Sequence, residues 1–252
     1  MKKRSFFVLV AGTVLFAYAC SKSNDNPPKE EEKKPLVTAP EAVVAHDGKS
    51  GGVYKGVIIG STGTVKIILQ DGTVSAEVSI DGETRVLKPW NMPTGWTSGQ
   101  ALQDVIFKSE NWTLTFSVTA NGDHPYISAV SIPGHTDVAV HIIKEESDVL
   151  AKAFEGSFGK GDSVFGAMNF VLAAVEDTVF GIIQKQPAPK QSMYGHYDNS
   201  HLQFITRFSK DSLNFSAEGT LNGDEIEGKW KGFDYRYSKI IDSGYWKAKR
   251  TL

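Results

Sequence analysis

Cysteine is almost absent from this chain. Cys20 is the only cysteine among 252 residues, so no disulfide can form within one molecule. An exported domain usually has access to oxidising conditions, and this one must be held together by core packing and sheet pairing instead. Metal sites built from several cysteines are excluded too, which leaves histidine and carboxylate as the available zinc or copper ligands.

No apolar run is long enough to cross a bilayer, which needs about 20 apolar residues. The longest, Phe6–Ala19, follows the basic residues Lys2–Arg4 and precedes the polar string Ser21–Asn26. A basic start followed by a short apolar run is typical of an export signal. We therefore predict that residues 1–19 form a signal peptide.

Catalytic motifs and positive charge are both scarce. Neither a phosphate-binding loop of the form G-x-x-x-x-G-K-[ST] nor an H-E-x-x-H zinc motif occurs. Without the three basic residues of the signal, 24 of the 27 Lys and Arg remain against 29 Asp and Glu, a net charge of −5 with histidines neutral. An acidic chain argues against nucleic acid as a partner. We predict a protein without enzymatic activity.

Residues Ala17, Tyr18, Ala19 and Cys20 resemble the lipobox of bacterial lipoproteins, with Ala17 in place of the usual leucine. The resemblance implies cleavage before Cys20, a diacylglycerol on its thiol and an acyl chain on its amine. More than one chain matters because a single one anchors only marginally. Ser21 is not the aspartate that retains some of these proteins at the inner membrane, so the resemblance implies the outer membrane. The alternative is an ordinary secretory signal with a chance cysteine.

The segment after Cys20 is rich in Lys, Glu, Asn and Pro as far as Pro40. Such a composition cannot bury a core. We predict that residues 20–45 form a disordered tether, which its prolines and charges keep extended.

The rest of the chain alternates apolar and polar residues between Gly, Asn and Asp turns, which predicts an all-β fold of short antiparallel strands. In the clearest hairpin, Thr64–Leu69 and Thr73–Ile80 flank an Asp-Gly turn signal. Helical periodicity is weak, and its best candidate, Glu145–Phe154, is interpreted as a short linker helix or a loop.

Two sequence matches suggest an internal duplication. Tyr54-Lys55-Gly56 is similar to Phe154-Glu155-Gly156 at an offset of 100, and Thr119–Asp123 is similar to Thr220–Asp224 at an offset of 101. We predict two tandem β domains, residues 46–149 and 150–252, each a small barrel or sandwich. One larger barrel or sandwich is the alternative.

Two Gly-x-Trp motifs, Gly228-Lys229-Trp230 and Gly244-Tyr245-Trp246, lie near the C-terminus. They resemble the closing strands of avidin-like and lipocalin-like (calycin) barrels and of small β-rich envelope lipoproteins. The lipocalin Gly-x-Trp of the first strand is absent, so no ligand residues follow from the resemblance.

Trp90 and Trp96 lie in one Pro- and Gly-rich loop, and both are candidate ligand contacts because aromatic faces on loops are typical recognition surfaces. The alternative is that one of them plugs an end of its barrel. A second candidate, a metal site at His135, Asp137 and His141, is outweighed by a solvent-facing strand. We predict no metal and no cofactor.

These observations favour a cell-envelope lipoprotein that binds a glycan, a small apolar ligand or another envelope protein. A structural or assembly accessory that pairs through exposed sheet edges is an alternative. A hydrolase with scattered catalytic residues is a third hypothesis.

Overall fold

The computed structural model describes residues 35–60, 62–70, 72–173, 178–185, 187, 189–206, 214–234 and 239–252. The predicted signal peptide, Cys20 and residues 21–34 of the predicted tether lie outside the described residues. Residues 36–252 form one compact unit. Among the described residues, no helix is long and apolar enough to span a bilayer.

Barrel 1 is an eight-stranded antiparallel meander in which the first strand also pairs with the last. Gln70 and Thr73 pair across the turn that the Asp-Gly signal predicted, and Gly72 supplies the positive φ that this turn needs. Within the described residues no ladder joins β7 to β8, so the barrel has an open seam. Its strands are β1 (Gly52–Ile59), β2 (Gly63–Gln70), β3 (Thr73–Ile80), β4 (Glu83–Pro89), β5 (Leu102–Ser109), β6 (Trp112–Val118), β7 (Tyr126–Ser131) and β8 (Ala139–Glu145).

Barrel 2 repeats the same meander and closes fully, because β9 pairs with both β10 and β16. Its strands are β9 (Lys152–Lys160), β10 (Ser163–Ala173), β11 (Thr178–Lys185), β12 (Gln191–Asp198), β13 (His201–Thr206), β14 (Asn214–Asn222), β15 (Glu225–Asp234) and β16 (Lys239–Arg250).

The all-β prediction is confirmed, and the two sheets form tandem small barrels. Tyr54 and Phe154 lie on the first strand of each barrel, and both are fully buried. The two Asn-Gly-Asp turns connect the sixth strand to the seventh in each barrel. Of the two interpretations of Glu145–Phe154, the linker helix is wrong. Glu145 ends β8, and the six residues 146–151, which include a tight turn that bridges Glu146 and Val149, form a loop that leads into β9.

Side chains fill both barrel interiors, as expected for eight strands, whose interior is just wide enough for side chains. The core of barrel 2 is dominated by aromatic rings in edge and stacked contacts, for example Phe215 and Trp230 at a centroid distance of 5.7 Å. The core of barrel 1 is mainly aliphatic, with Tyr54 packed edge-on against Phe116 at 5.1 Å.

The two C-terminal Gly-x-Trp motifs pack as a reciprocal pair in the wall of barrel 2. Gly228 lies opposite Trp246, and Trp230 lies opposite Gly244. Gly244 leaves the room that the Trp230 indole needs, since a Cβ there would lie 2.7 Å from Trp230 Nε1. For the Trp246 indole, the glycine that leaves room is Gly219 of β14. The Trp230 indole N–H donates to Gly159 O at 2.8 Å. These motifs therefore stabilise the closing strands.

Strand β1 is buried along its whole length because barrel 2 covers its outer face. Outward-pointing Val57 packs against Ala153 and Val171 of barrel 2. The Asn169 carboxamide of barrel 2 donates to Ile58 O at 2.7 Å. Apart from Lys55, β1 is a run of apolar and glycine residues, which is typical of a strand buried on both faces.

A buried ion pair lies at the junction of the barrels. Lys55 Nζ of β1 is 2.7 Å from Glu145 Oε2 of β8, and both side chains are fully buried. Glu145 also accepts the backbone N–H groups of Glu41 at 2.7 Å, Ala42 at 3.2 Å and Ala151 at 2.9 Å. One carboxylate thus joins β1, β8, the linker and the segment of residues 36–51, which we call the N-terminal arm.

Glu41 extends this cluster to the surface of barrel 1. Its carboxylate oxygens lie 3.0 Å from Lys55 Nζ and 3.0 Å from Lys66 Nζ. Burial alone would raise the pKa of Glu41, but hydrogen bonds from the two lysines outweigh it and hold the pKa below its usual value. Residues 36–45, which the sequence assigned to the tether, therefore include a part that packs on barrel 1.

We expect Glu145→Ala to lower the free energy of unfolding by about 3–5 kcal/mol. Lys55 would keep only Glu41 as a partner, and the buried N–H groups that Glu145 accepts would lose their acceptor. Urea unfolding followed by circular dichroism measures the loss. The matched control is Glu225→Ala, whose pair with Lys249 is 69% exposed on both sides and should cost at most about 1 kcal/mol. Equal losses in the two variants would contradict a special role for the buried pair.

His141 lies in the contact between the barrels, with its ring 5.3 Å from that of Phe180. Its Nε2 is buried and has no hydrogen-bond partner among the described residues. Burial lowers the pKa of His141 to about 4. The folded chain therefore takes up this proton at a lower pH than the unfolded chain does.

Because the folded pKa lies below the unfolded value of about 6.5, His141 should cost stability as the pH falls from about 6.5 to 4. The expected loss is up to roughly 3 kcal/mol. The difference in the midpoint of thermal unfolding between pH 7 and pH 4.5 should be smaller in His141→Gln than in the wild type. His196→Gln, a change at an exposed histidine of β12, should leave the difference intact. A His141→Gln profile that parallels the wild type would refute this assignment.

Candidate binding surface around Trp90

The loop between β4 and β5, residues 90–101, is fixed at its start by Asn91. The Trp90 backbone N–H donates to Ile106 O at 2.7 Å. The Asn91 carboxamide accepts from the Ile106 N–H at 2.6 Å and donates to Asp104 O at 3.0 Å. A bulge at Asp104, which has φ +49°, presents that carbonyl to Asn91. Trp90 is therefore held against the sheet.

The far half of the loop is fixed to the N-terminal arm. Ser98 Oγ lies 2.9 Å from His46 Nδ1 and accepts from the Gly51 N–H at 3.2 Å. Ser50 Oγ donates to Gln100 O at 2.6 Å. A loop fixed at both ends loses little conformational entropy when it binds a ligand.

The arm carries the string Gly48-Lys49-Ser50-Gly51-Gly52, which has the Gly-x-Ser-x-Gly spacing of serine hydrolases. In those enzymes the serine lies on a sharp turn from a strand into a helix. Ser50 instead precedes β1 and is fully buried. Its hydroxyl donates to Gln100 O, and the nearby His46 pairs with Ser98. The string therefore anchors the loop and does not present a nucleophile.

Trp96 and Trp90 occupy different environments. Trp96 is half-buried, packs against the core of barrel 1 and donates its indole N–H to Gln100 O at 3.0 Å. This is the end-plugging position that the sequence offered as an alternative for one of the two tryptophans. Trp90 is 73% exposed. It is therefore the better of the two predicted contacts.

Two lysines accompany the exposed indole. Lys108 Nζ lies over the Trp90 ring, 5.2 Å from its centroid, in a cation–π contact. Lys88 pairs directly with Lys108 across β4 and β5, and both are exposed. Like charges directly opposite each other destabilise a sheet. The surface thus combines a flat aromatic ring with a positive charge that a bound anion would offset.

The three residues of the candidate metal site, His135, Asp137 and His141, lie apart in the structure. His135 Nε2 lies 3.7 Å from Asp81 Oδ2, Asp137 pairs with Lys190, and His141 is enclosed between the barrels. Among the described residues, no three metal-ligating side chains come together. The glycine-rich stretch Gly156–Gly166 lies in the β9–β10 hairpin.

The sequence did not predict a groove on the outer face of barrel 2. It has a volume of about 690 Å³ and runs over β9, β15 and β16, with Tyr245 65% exposed in it. An adjoining groove of about 620 Å³ contains Glu155, Glu225 and Glu227. The only signal was the alternation along β16, which turns Trp246 inward and therefore Tyr245 outward.

Comparison of the chain with protein-family models gave no match, and no curated protein matches it.

Acrylamide quenching of tryptophan fluorescence should distinguish the five indoles. Trp112, Trp230 and Trp246 are at most 4% exposed, and Trp96 is half-buried. We expect Trp90→Phe to remove most of the quenchable emission and leave stability within about 0.5 kcal/mol. Trp112→Phe should leave the quenchable fraction unchanged. Strong quenching that persists in Trp90→Phe would contradict the exposure of this residue.

Proposed function

We propose that this chain is a lipid-anchored envelope protein that binds glycan on the outer face of barrel 1, with Trp90 as the central contact and without catalysis. The observation that carries the proposal is the exposed indole of Trp90, whose backbone is fixed by hydrogen bonds to the sheet. The partially positive C–H groups on the face of a sugar ring complement the negative face of an indole.

Because both interiors are packed, binding on the outer surface is favoured over binding of a small apolar ligand inside a barrel. Fully buried side chains such as Phe107, Phe170 and Trp230 occupy the space that such a ligand would need. Exposed aromatic side chains on loops are typical recognition surfaces. Trp90 provides such a surface on barrel 1.

The charge beside Trp90 favours an acidic sugar. Lys88 and Lys108 lie directly opposite each other on β4 and β5, so two positive charges are adjacent beside the indole. A carboxylate on the ligand would reduce their repulsion and would bind less tightly as salt is added. An acidic polysaccharide is therefore the preferred class within this proposal.

The proposed localisation of the protein rests on the resemblance of residues 17–20 to a lipobox. Cys20 would carry the lipid, and Ser21 favours the outer membrane. The segment before residue 36 would act as the tether. The membrane is then the partner of Cys20, and the glycan is the partner of barrel 1.

The test is calorimetric titration of the purified protein with polygalacturonate, cellohexaose and chitohexaose. We expect polygalacturonate to bind most tightly and Trp90→Ala to weaken it at least about tenfold, equivalent to about 1.4 kcal/mol. Tyr245→Ala, at the exposed tyrosine of barrel 2, is the matched control and should bind normally. If no probe binds, or if Trp90→Ala binds as the wild type does, the proposal is wrong.

A hydrolase is the second candidate, because one observation favours it. Glu155 lies in the groove of barrel 2 near Glu225 and Glu227, and burial raises its pKa. The test is whether any of the three probes is cleaved to give new reducing ends. If it is, and if Glu155→Gln abolishes this cleavage while Glu225→Gln retains it, the protein is a hydrolase and the binding proposal is wrong. We expect no new reducing ends.

A further inference from the structure

Barrel 2 carries a long groove on its outer face that takes no part in the proposed binding on barrel 1. One part, with a volume of about 690 Å³, runs over β9, β15 and β16, and an adjoining part of about 620 Å³ continues along the same strands. Both parts are lined by Ser157, Glu227 and Lys247, so they form one depression, which we call the β16 groove. From Tyr245 to Lys249 it follows β16 for about 14 Å.

The groove is open because the residues of β9 along its floor, Ser157 and Gly159, are small. Gly159 lies directly between Val164 of β10 and Tyr245 of β16. Val164 is 71% exposed and Tyr245 is 65% exposed, so these two side chains stand on either side of a glycine. They are two strand spacings apart, about 10 Å. That width admits a flat ring with one face against the tyrosine.

Charges of opposite sign are matched along the groove. Lys247 lies directly opposite Glu227 on β15. Lys249 Nζ forms an exposed ion pair with Glu225 Oε1 at 3.1 Å. A charged ligand would meet both signs at once and gain little from either. Hydroxyl groups both donate and accept hydrogen bonds, so they pair with carboxylates and ammonium groups alike.

Each strand of the groove is paired on both sides. β16 pairs with β15 and β9, β15 also pairs with β14, and β9 also pairs with β10. A peptide that adds to a sheet through its backbone needs an unpaired edge. The groove therefore offers a ligand its side chains, which favours a sugar chain over a strand-forming peptide.

We propose that the β16 groove binds an uncharged linear oligosaccharide, with one sugar ring stacked on Tyr245 and hydroxyl groups bonded to Glu227 and Lys247. The C–H groups on the face of a sugar ring complement the negative face of a tyrosine ring, as they complement that of an indole. This site differs from the one on barrel 1, where the two lysines beside Trp90 favour an acidic sugar. One molecule would then hold two different glycans, one on each barrel.

Calorimetric titration of the purified protein with cellohexaose, an uncharged chain, tests the proposal. We expect Tyr245→Ala to weaken binding at least about tenfold, because the stacking surface is lost, and Tyr245→Phe to retain it. Tyr194→Ala, at an exposed tyrosine of β12 outside the groove, is the matched control and should bind as the wild type does. The affinity should stay within about twofold between about 50 and 500 mM NaCl, since salt does not screen an uncharged ligand.

The two sites are tested separately, because polygalacturonate binding should survive Tyr245→Ala and cellohexaose binding should survive Trp90→Ala. An unchanged circular-dichroism spectrum shows that Tyr245→Ala folds. If cellohexaose does not bind, or binds Tyr245→Ala as tightly as the wild type, the β16 groove is not its site, whatever happens at Trp90. Loss of cellohexaose binding in Trp90→Ala would also overturn the proposal, because both sugars would then bind on barrel 1.

Discussion

The carboxylate of Glu145 accepts hydrogen bonds from β1, from the N-terminal arm and from the linker between the barrels. Removing an ion pair such as Lys55–Glu145 from water is costly, and the cost is recovered only when the remaining lone pairs are satisfied. Here the backbone N–H groups of Glu41, Ala42 and Ala151 satisfy them. The contact of Val57 with barrel 2 and the anchoring of the Trp90 loop on the arm both depend on the position that this pair gives to β1 and to the arm.

A packed interior changes where function can lie in a small barrel. The two barrels share a meander, but their outer surfaces differ. Barrel 1 carries a lysine-flanked indole and, among the described residues, has no ladder between its last two strands, whereas barrel 2 is closed and carries grooves. After a duplication, the shared core positions are constrained by packing, while outward positions are free to diverge. Trp90 follows the fourth strand of barrel 1 and Tyr245 lies on the eighth strand of barrel 2, so the two barrels expose aromatic residues at different positions of the shared meander.

Much of the fold could be predicted because period-two alternation and turn residues are local signals. Tyr54 and Phe154 indicated the repeat, and the Asp-Gly turn indicated the β2–β3 hairpin. The roles of Lys55 and Glu145 could not be predicted, because the two residues are 90 positions apart. Lys55 looks like an ordinary polar residue of a strand, and Glu145 opened the segment interpreted as a linker helix or a loop. The difference between Trp90 and Trp96 was also hidden, since it depends on which indole reaches the core from one loop.

The convergence of bonds on Glu145 has a mechanical consequence for a protein held by its N-terminus. A pull from the proposed membrane anchor would reach the arm first at Val37, whose carbonyl accepts a hydrogen bond from Arg250 of β16. It would then reach Glu41 and Ala42 and pass through Glu145 to β1, β8 and the linker. The load would then be shared between both barrels. If the proposed lipid on Cys20 anchors the chain, such a clamp would help it resist tension without a disulfide.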